Sequence, residues 1–226
     1  MRLGRSRGEQ PDLNDDPADE TVTSELGWIE VDCDVRRWIL LPLAFPDGYD
    51  RDSWAATAAA AWSEQWGLPA ESAEVERLAM MIRAIHEGAN TRVKCHQIWI
   101  YLPDRFTAPL PVFFAIWRQS GERDRRLRLL TGADDKSSVR KPQVAKVTTE
   151  HLGTGLRVMR LRPWEKGQVQ ALLVYAFRVA EHETDLQVFT TTTDLRALTA
   201  ADDDIERLVQ GITVYRNTDE RRVAQP

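Results

Sequence analysis

The stretch from Gly167 to Gly211 restricts the fold more than any other, because it reads as two adjoining strands and a helix. Over Gln168 to Ala180, Ala171, Leu173, Tyr175, Phe177 and Val179 alternate with Leu172, Val174 and Ala176. A strand apolar on both alternating faces needs cover on both sides, so it belongs inside a sheet. The polar turn Glu181 to Thr184 leads to a second strand, Asp185 to Thr192. A helix over Asp202 to Gln210 closes the unit, capped at Thr199 with Asp202 three residues later. Ile205, Leu208, Val209 and Ile212 then face the sheet. The unit is a scaffold and carries no catalytic signature.

Upstream, Gly27 to Cys33 alternates and Arg37 to Leu41 is apolar, which predicts a hairpin turned at Asp34-Val35. Pro42 ends it or marks an edge. Pro46-Asp47-Gly48 is a turn signal. A helix starts at Asp52 or Ser53, runs to Trp66 and shares Trp54, Ala58, Ala61 and Trp62 on one face. A second helix, Ala70 to Glu87, aligns Val75, Leu78, Ala79, Ile82 and His86, with Gly88 as its stop.

From Cys95 the period becomes two, with Cys95, Gln97, Trp99 and Tyr101 opposite His96, Ile98, Ile100 and Leu102. Pro111 to Arg118 reads as a strand covered on both faces. Leu127, Leu129 and Leu130 suggest a short strand before a mobile loop at about 131–142. Val144 to Thr149 and Gly155 to Arg162 alternate, the latter presenting Arg157, Arg160 and Arg162 on a solvated basic face. Two helices come early, one closes the chain, and strands fill the rest. Parallel strands need crossover helices, so the fold class is α+β: a largely antiparallel sheet flanked by helices.

A chain of 226 residues can bury a sizeable core without staples. One α+β domain is read over 26–215, between a disordered arm at 1–25 and a disordered charged tail at 216–226. Cys33 and Cys95 form no CxxC pair and read as buried thiols. Arg2, Arg5 and Arg7 are followed by acidic residues and prolines instead of an apolar segment, so no secretory signal is read. No window approaches the ~20 apolar residues of a membrane span. The expected location is cytoplasmic.

Four histidines, His86, His96, His151 and His182, show no metal-ligand spacing, and no cofactor motif occurs, so no metal or cofactor is expected. His86, Cys95 and His96 are the candidate catalytic residues, although adjacent strand residues such as Cys95 and His96 point to opposite faces. Trp62 and Trp66 are candidate stacking residues, with core filling the plainer role. Arg123, Arg125, Arg126 and Arg128, with Trp164, would make a basic groove if they converged with the arginine strand. The net charge of -5 weighs against nucleic acid.

From Tyr175 to Val214 an apolar strand, a Thr-rich strand and an Asp-x-x-Ile-x-x-Leu-x-x-x-Ile helix follow one another. That succession, and the order of elements over Gly27 to Val214, resembles the PsbP-like fold. The resemblance implies an antiparallel sheet between helices and a non-enzymatic binding or assembly role. It transfers no functional residue. Many members are exported, whereas no export signal is read here. The expectation is an accessory protein that binds another protein, with homo-oligomerisation possible. The alternatives are an enzyme with a His/Cys pocket and a weak nucleic-acid binder using the arginine-rich face.

Overall fold

In a computed structural model of the chain, residues 28–45, 50–69, 71–92 and 95–215 are described. The arm, the tail and the Pro46-Asp47-Gly48 turn lie outside them. In chain order the strands are β1 (Trp28–Val31), β2 (Trp38–Leu41), β3 (Gln97–Tyr101), β4 (Leu110–Arg118), β5 (Gln143–Thr149), β6 (Gly153–Pro163), β7 (Val169–Val179), β8 (Thr184–Thr192) and β9 (Ile212–Tyr215). The helices are α1 (Arg51–Gln65), α2 (Ala73–Arg92), α3 (Arg123–Thr131) and α4 (Leu195–Gln210). The fold is α+β: a seven-stranded sheet in the order β2-β3-β4-β8-β7-β6-β5 and a two-stranded β1-β9 ribbon, antiparallel at every pairing.

The long hairpin is the frame the sequence promised. Every residue of β7 from Ala171 to Phe177 is buried, and the strand has neighbours on both sides. Its two faces meet different layers. Ala171, Leu173, Tyr175 and Phe177 join Leu198, Ala201, Ile205, Leu208 and Val209 of α4 in one core, which Ile29, Ile212 and Val214 of the ribbon complete. On the opposite face α1 and α2 cover Ile39, Leu41, Ile98, Ile100 and Phe113. The register that pairs Phe113 with Phe189 and Val174 with Phe189 puts Gln187 on that same face. There the Gln187 amide donates to the Leu130 carbonyl of α3 at 2.6 Å. The sheet is thus covered by α1, α2 and α3 on one side and by α4 and the ribbon on the other.

Several expectations change. Trp28–Val31 and Trp38–Leu41 do not pair as a hairpin: β1 joins β9 and β2 joins β3. The turn at Asp34 is real, with the Arg37 amide bonding the Asp34 carbonyl at 2.8 Å, but it passes the chain from ribbon to sheet. Leu127, Leu129 and Leu130 belong to a fourth helix, α3. Its N-cap carboxylate, Glu122, accepts from the amides of Asp124 and Arg125, and Gly132 closes it in the left-handed region. Helix α1 is capped by Asp50, and its buried line is Ala55, Ala59 and Ser63, leaving Ala61 exposed. Helix α2 runs past Gly88. Helix α4 begins at Leu195, capped by Asp194, so Thr199 lies inside it.

The basic face expected on β6 is split. Arg157 pairs with Tyr175 and faces α4, whereas Arg160 pairs with Leu172 and faces α3. Alternation forbids the three arginines from sharing a side.

Candidate functional site

Helix α4 has an open groove on each flank. On one flank the buried carboxylate of Asp204 receives the Tyr101 hydroxyl from β3 and the Arg37 guanidinium from the turn before β2. Arg207, one turn along α4, lies 3.0 Å from the other carboxylate oxygen. Burial, and then the Asp204 carboxylate, raise the Tyr101 phenol well above its ordinary range, so the hydroxyl stays a donor. Asp32, Cys33, Asp34, Arg36, Trp38 and Leu208 complete the walls of a cleft of about 640 Å³. Its lip carries two arginines, Arg36 and Arg207, with side chains 76% and 69% exposed.

On the other flank Arg157 donates to both carboxylate oxygens of Asp202 at 2.6 Å and to the Tyr175 hydroxyl at 3.1 Å. Burial pushes the Tyr175 phenol up to about 12, against the opposing pull of Arg157. The groove above, about 450 Å³, runs between residues 145–148 of β5 and Asp202, Glu206 and Gln210 of α4. The Gln210 amide crosses it to donate to the Thr148 carbonyl at 3.2 Å.

The residues singled out from the sequence are placed elsewhere. His86 is buried on α2 with its ring 5.3 Å from Phe45, and burial followed by Arg51 lowers its pKa despite a bond to the Pro42 backbone. His96 Nδ1 accepts the Ile116 amide at 2.9 Å. Burial pushes the Cys95 thiol up to about 11. A Cys-His dyad needs a thiolate beside an available base. Here the thiol is held protonated and one ring nitrogen is occupied by backbone.

Cys33 is raised to about 11 as well, by burial and then by Asp32 and Asp34. Both cysteines are therefore expected to react slowly with a thiol-directed disulfide reagent at pH 8, and to speed up steeply only toward pH 11. A rate at pH 8 equal to that of the urea-unfolded chain would contradict these environments.

Trp62 donates from Nε1 to the Leu102 carbonyl at 3.1 Å, and with Trp66 it packs on the α1/α2 core. Arg123, Arg125, Arg126 and Arg128 sit on α3. Arg123 bonds Asp124 and the Thr154 carbonyl, Arg126 lies buried 3.5 Å from Asp185, Arg128 pairs with Asp134, and Arg125 is exposed. Arg160 and Arg162 share Asp135, at 2.7 and 3.6 Å. Trp164 is 38% exposed in the β6–β7 connection. The segment at about 131–142 is tied back by the Asp135 contacts and by the Val139 amide on the Leu161 carbonyl at 2.7 Å.

Sequence reading passed over Asp204, Tyr101, Arg37 and Arg207. One signal was available: Asp204 lies beside Ile205 and one turn before Leu208, so the apolar stripe of α4 contains a carboxylate. A buried acid calls for a partner.

Among the described residues no helix is long and apolar enough to cross a membrane, and no group of three metal-ligating side chains occurs. No family model and no curated protein matches the chain, so the PsbP-like resemblance is not supported by a family match. Among solved structures the chain is similar to LpqN of Mycobacterium tuberculosis, described as involved in cell envelope biogenesis. Identity is 10% and the TM-score 0.45, over 83% of this chain and 84% of that one.

Proposed function

We propose that this chain is a non-enzymatic accessory protein that binds another protein through the surface around α4. The observation that carries this reading is the Arg37–Asp204–Tyr101–Arg207 knot, which opens onto a cleft rimmed by the exposed Arg36 and Arg207. Its buried donors and acceptors serve one another, as in a rigid recognition surface, and leave no group poised to transfer a proton. Pockets for small molecules are mostly apolar and enclose their ligand. Both grooves beside α4 are open and lined largely by charged and polar side chains, which suits a polar protein rim with Arg, Tyr and Trp nearby.

Catalysis by His86, Cys95 or His96 is disfavoured by their packing. Nucleic-acid binding is disfavoured by the acidic partners of Arg126, Arg128, Arg157, Arg160 and Arg162. The reading includes a cytoplasmic location, supported by two free cysteines.

The test is capture from the native host at native expression, with the full chain as bait. Wild type is expected to retain a stoichiometric partner that the double variant Arg36→Ala, Arg207→Ala loses while keeping its melting temperature, because Arg37 and Tyr101 still hold Asp204. Equal recovery with both baits, or none with wild type, would count against the α4 surface.

A further inference from the structure

We propose that β5 is a docking edge that accepts an extended segment of the partner protein as a further strand of the sheet. This rests on the reading that the surface around α4 binds a protein, and it adds the partner's conformation and chemistry.

The two edges of the large sheet differ. Strand β2 has four residues and stops at Pro42, whereas β5 has seven, contains no proline and is mostly exposed. An edge strand turns one row of backbone groups to its neighbour and the other row outward. In an antiparallel strand the N–H and C=O of one residue point the same way, and successive residues alternate. The Thr148 carbonyl accepts from the Gln210 side chain, which is outside the β5–β6 ladder. Thr148 therefore turns outward, and with it Lys146 and Val144.

Beside this row, Asp202, Glu206 and Gln210 follow at one-turn intervals along α4 and wall the groove of about 450 Å³. Arg157 in its lining is engaged through Nε by Tyr175 and through Nη2 by Asp202. The edge thus offers hydrogen bonds, and the wall offers side-chain selection. Those are the two components of strand-addition binding.

Charge selects the occupant. Lys146 and Glu206 line the groove, and neither has an ion pair among the described residues. An incoming strand with an acidic side chain opposite Lys146 and a basic neighbour toward Glu206 complements both. In a two-fold pairing centred on Lys146, a second copy would set this lysine against itself, and like charges directly opposite are destabilising. The occupant is therefore an extended partner segment bearing adjacent acidic and basic residues.

The test uses the full chain, amide-resolved hydrogen exchange, and capped peptides of alternating Val and Thr. Their two central positions are Glu-Lys, Thr-Thr or Lys-Lys. The Glu-Lys peptide is expected to slow exchange at Val144, Lys146 and Thr148, and to bind roughly tenfold more tightly than the Lys-Lys peptide. Lys146→Pro removes an outward amide that β6 does not use, so its melting temperature should hold while peptide binding disappears. Lys146→Glu should reverse the preference. If Lys146→Pro fails to fold, Val144→Pro supplies the same deletion.

No slowed amide with any peptide, or undiminished binding to a folded proline variant, overturns the inference. Peptide effects confined to Arg37 and Arg207 overturn it too, while leaving the α4 reading intact. Capture that depends on Arg36 and Arg207 but survives Lys146→Pro does the same. A dimer by light scattering that Lys146→Pro abolishes would make the occupant a second copy, and would overturn the partner assignment.

Discussion

Asp185→Ala is expected to lower the unfolding free energy by about 3–5 kcal/mol, the usual loss when one member of a buried ion pair is removed. Asp185 has a fully buried side chain and is shared by two guanidiniums that are themselves nearly buried, Arg178 at 7% exposure and Arg126 at 8%. Arg178 holds it through two bonds of 2.7 and 3.1 Å and also donates to the Ser120 and Gly121 carbonyls. The carboxylate therefore joins β7, β8, the end of β4 and α3. Without it, the two guanidiniums stay in a poorly hydrated site and lose the carboxylate they share. Urea denaturation followed by circular dichroism measures the loss. A midpoint within error of wild type would show that water reaches these arginines. Arg126→Met should cost less than Asp185→Ala, because Arg178 keeps its two-bond partner when Arg126 is gone.

Phe177→Ala is expected to cost a similar amount, about 3–5 kcal/mol, by a different route. The ring is fully buried near the end of β7 in the core beneath α4. A Cβ added at Gly155 would overlap this ring and the Ala176 carbonyl, so β6 passes here with room for hydrogen alone. Truncating Phe177 opens a void that this stiff backbone cannot fill by moving a side chain. The loss should appear in the denaturation midpoint with an unchanged slope. If Gly155→Ala, itself destabilising by overpacking, becomes better tolerated in the Phe177→Ala background than alone, the two positions share one space. Strict additivity would contradict that.

Much of the architecture could be read from side-chain periodicity. The two faces of β7, the buried line of α2 through His86 and the opposite faces of Trp99 and Ile100 follow from alternation and helical spacing. What escaped had competing local and distant causes. Leu127, Leu129 and Leu130 look like a strand fragment, because the helical stripe of α3 includes Arg126, whose burial depends on Asp185 far along the chain. The pairing of β1 with β9 joins opposite ends of the fold, and no short-range pattern encodes it.

The candidate site was less legible than the fold for the same reason. Asp204, Tyr101 and Arg37 are each ordinary within their own elements and become a cluster only when α4 crosses β3. The arginines were visible as a group, but the carboxylates that hold the buried ones, Asp185 for Arg126 and Asp135 for Arg160, lie far from them in sequence. Thr184 and Thr190, polar by type, are buried in the hairpin, and Thr190 donates to the Pro111 carbonyl at 2.7 Å.

The β1–β9 ribbon also has a kinetic consequence. Strands β5 to β8 form successive hairpins that can close early over short loops. Joining Trp28 to Tyr215 instead requires nearly the whole chain to be gathered first, and contacts of such separation form slowly. The ribbon also completes the core under α4, since Ile29, Ile212 and Val214 pack against it. It acts as a latch on a sheet that is otherwise assembled. The cleft walled by Asp32, Cys33 and Asp34 is therefore expected to take its shape late in folding, when the two ends of the described chain meet.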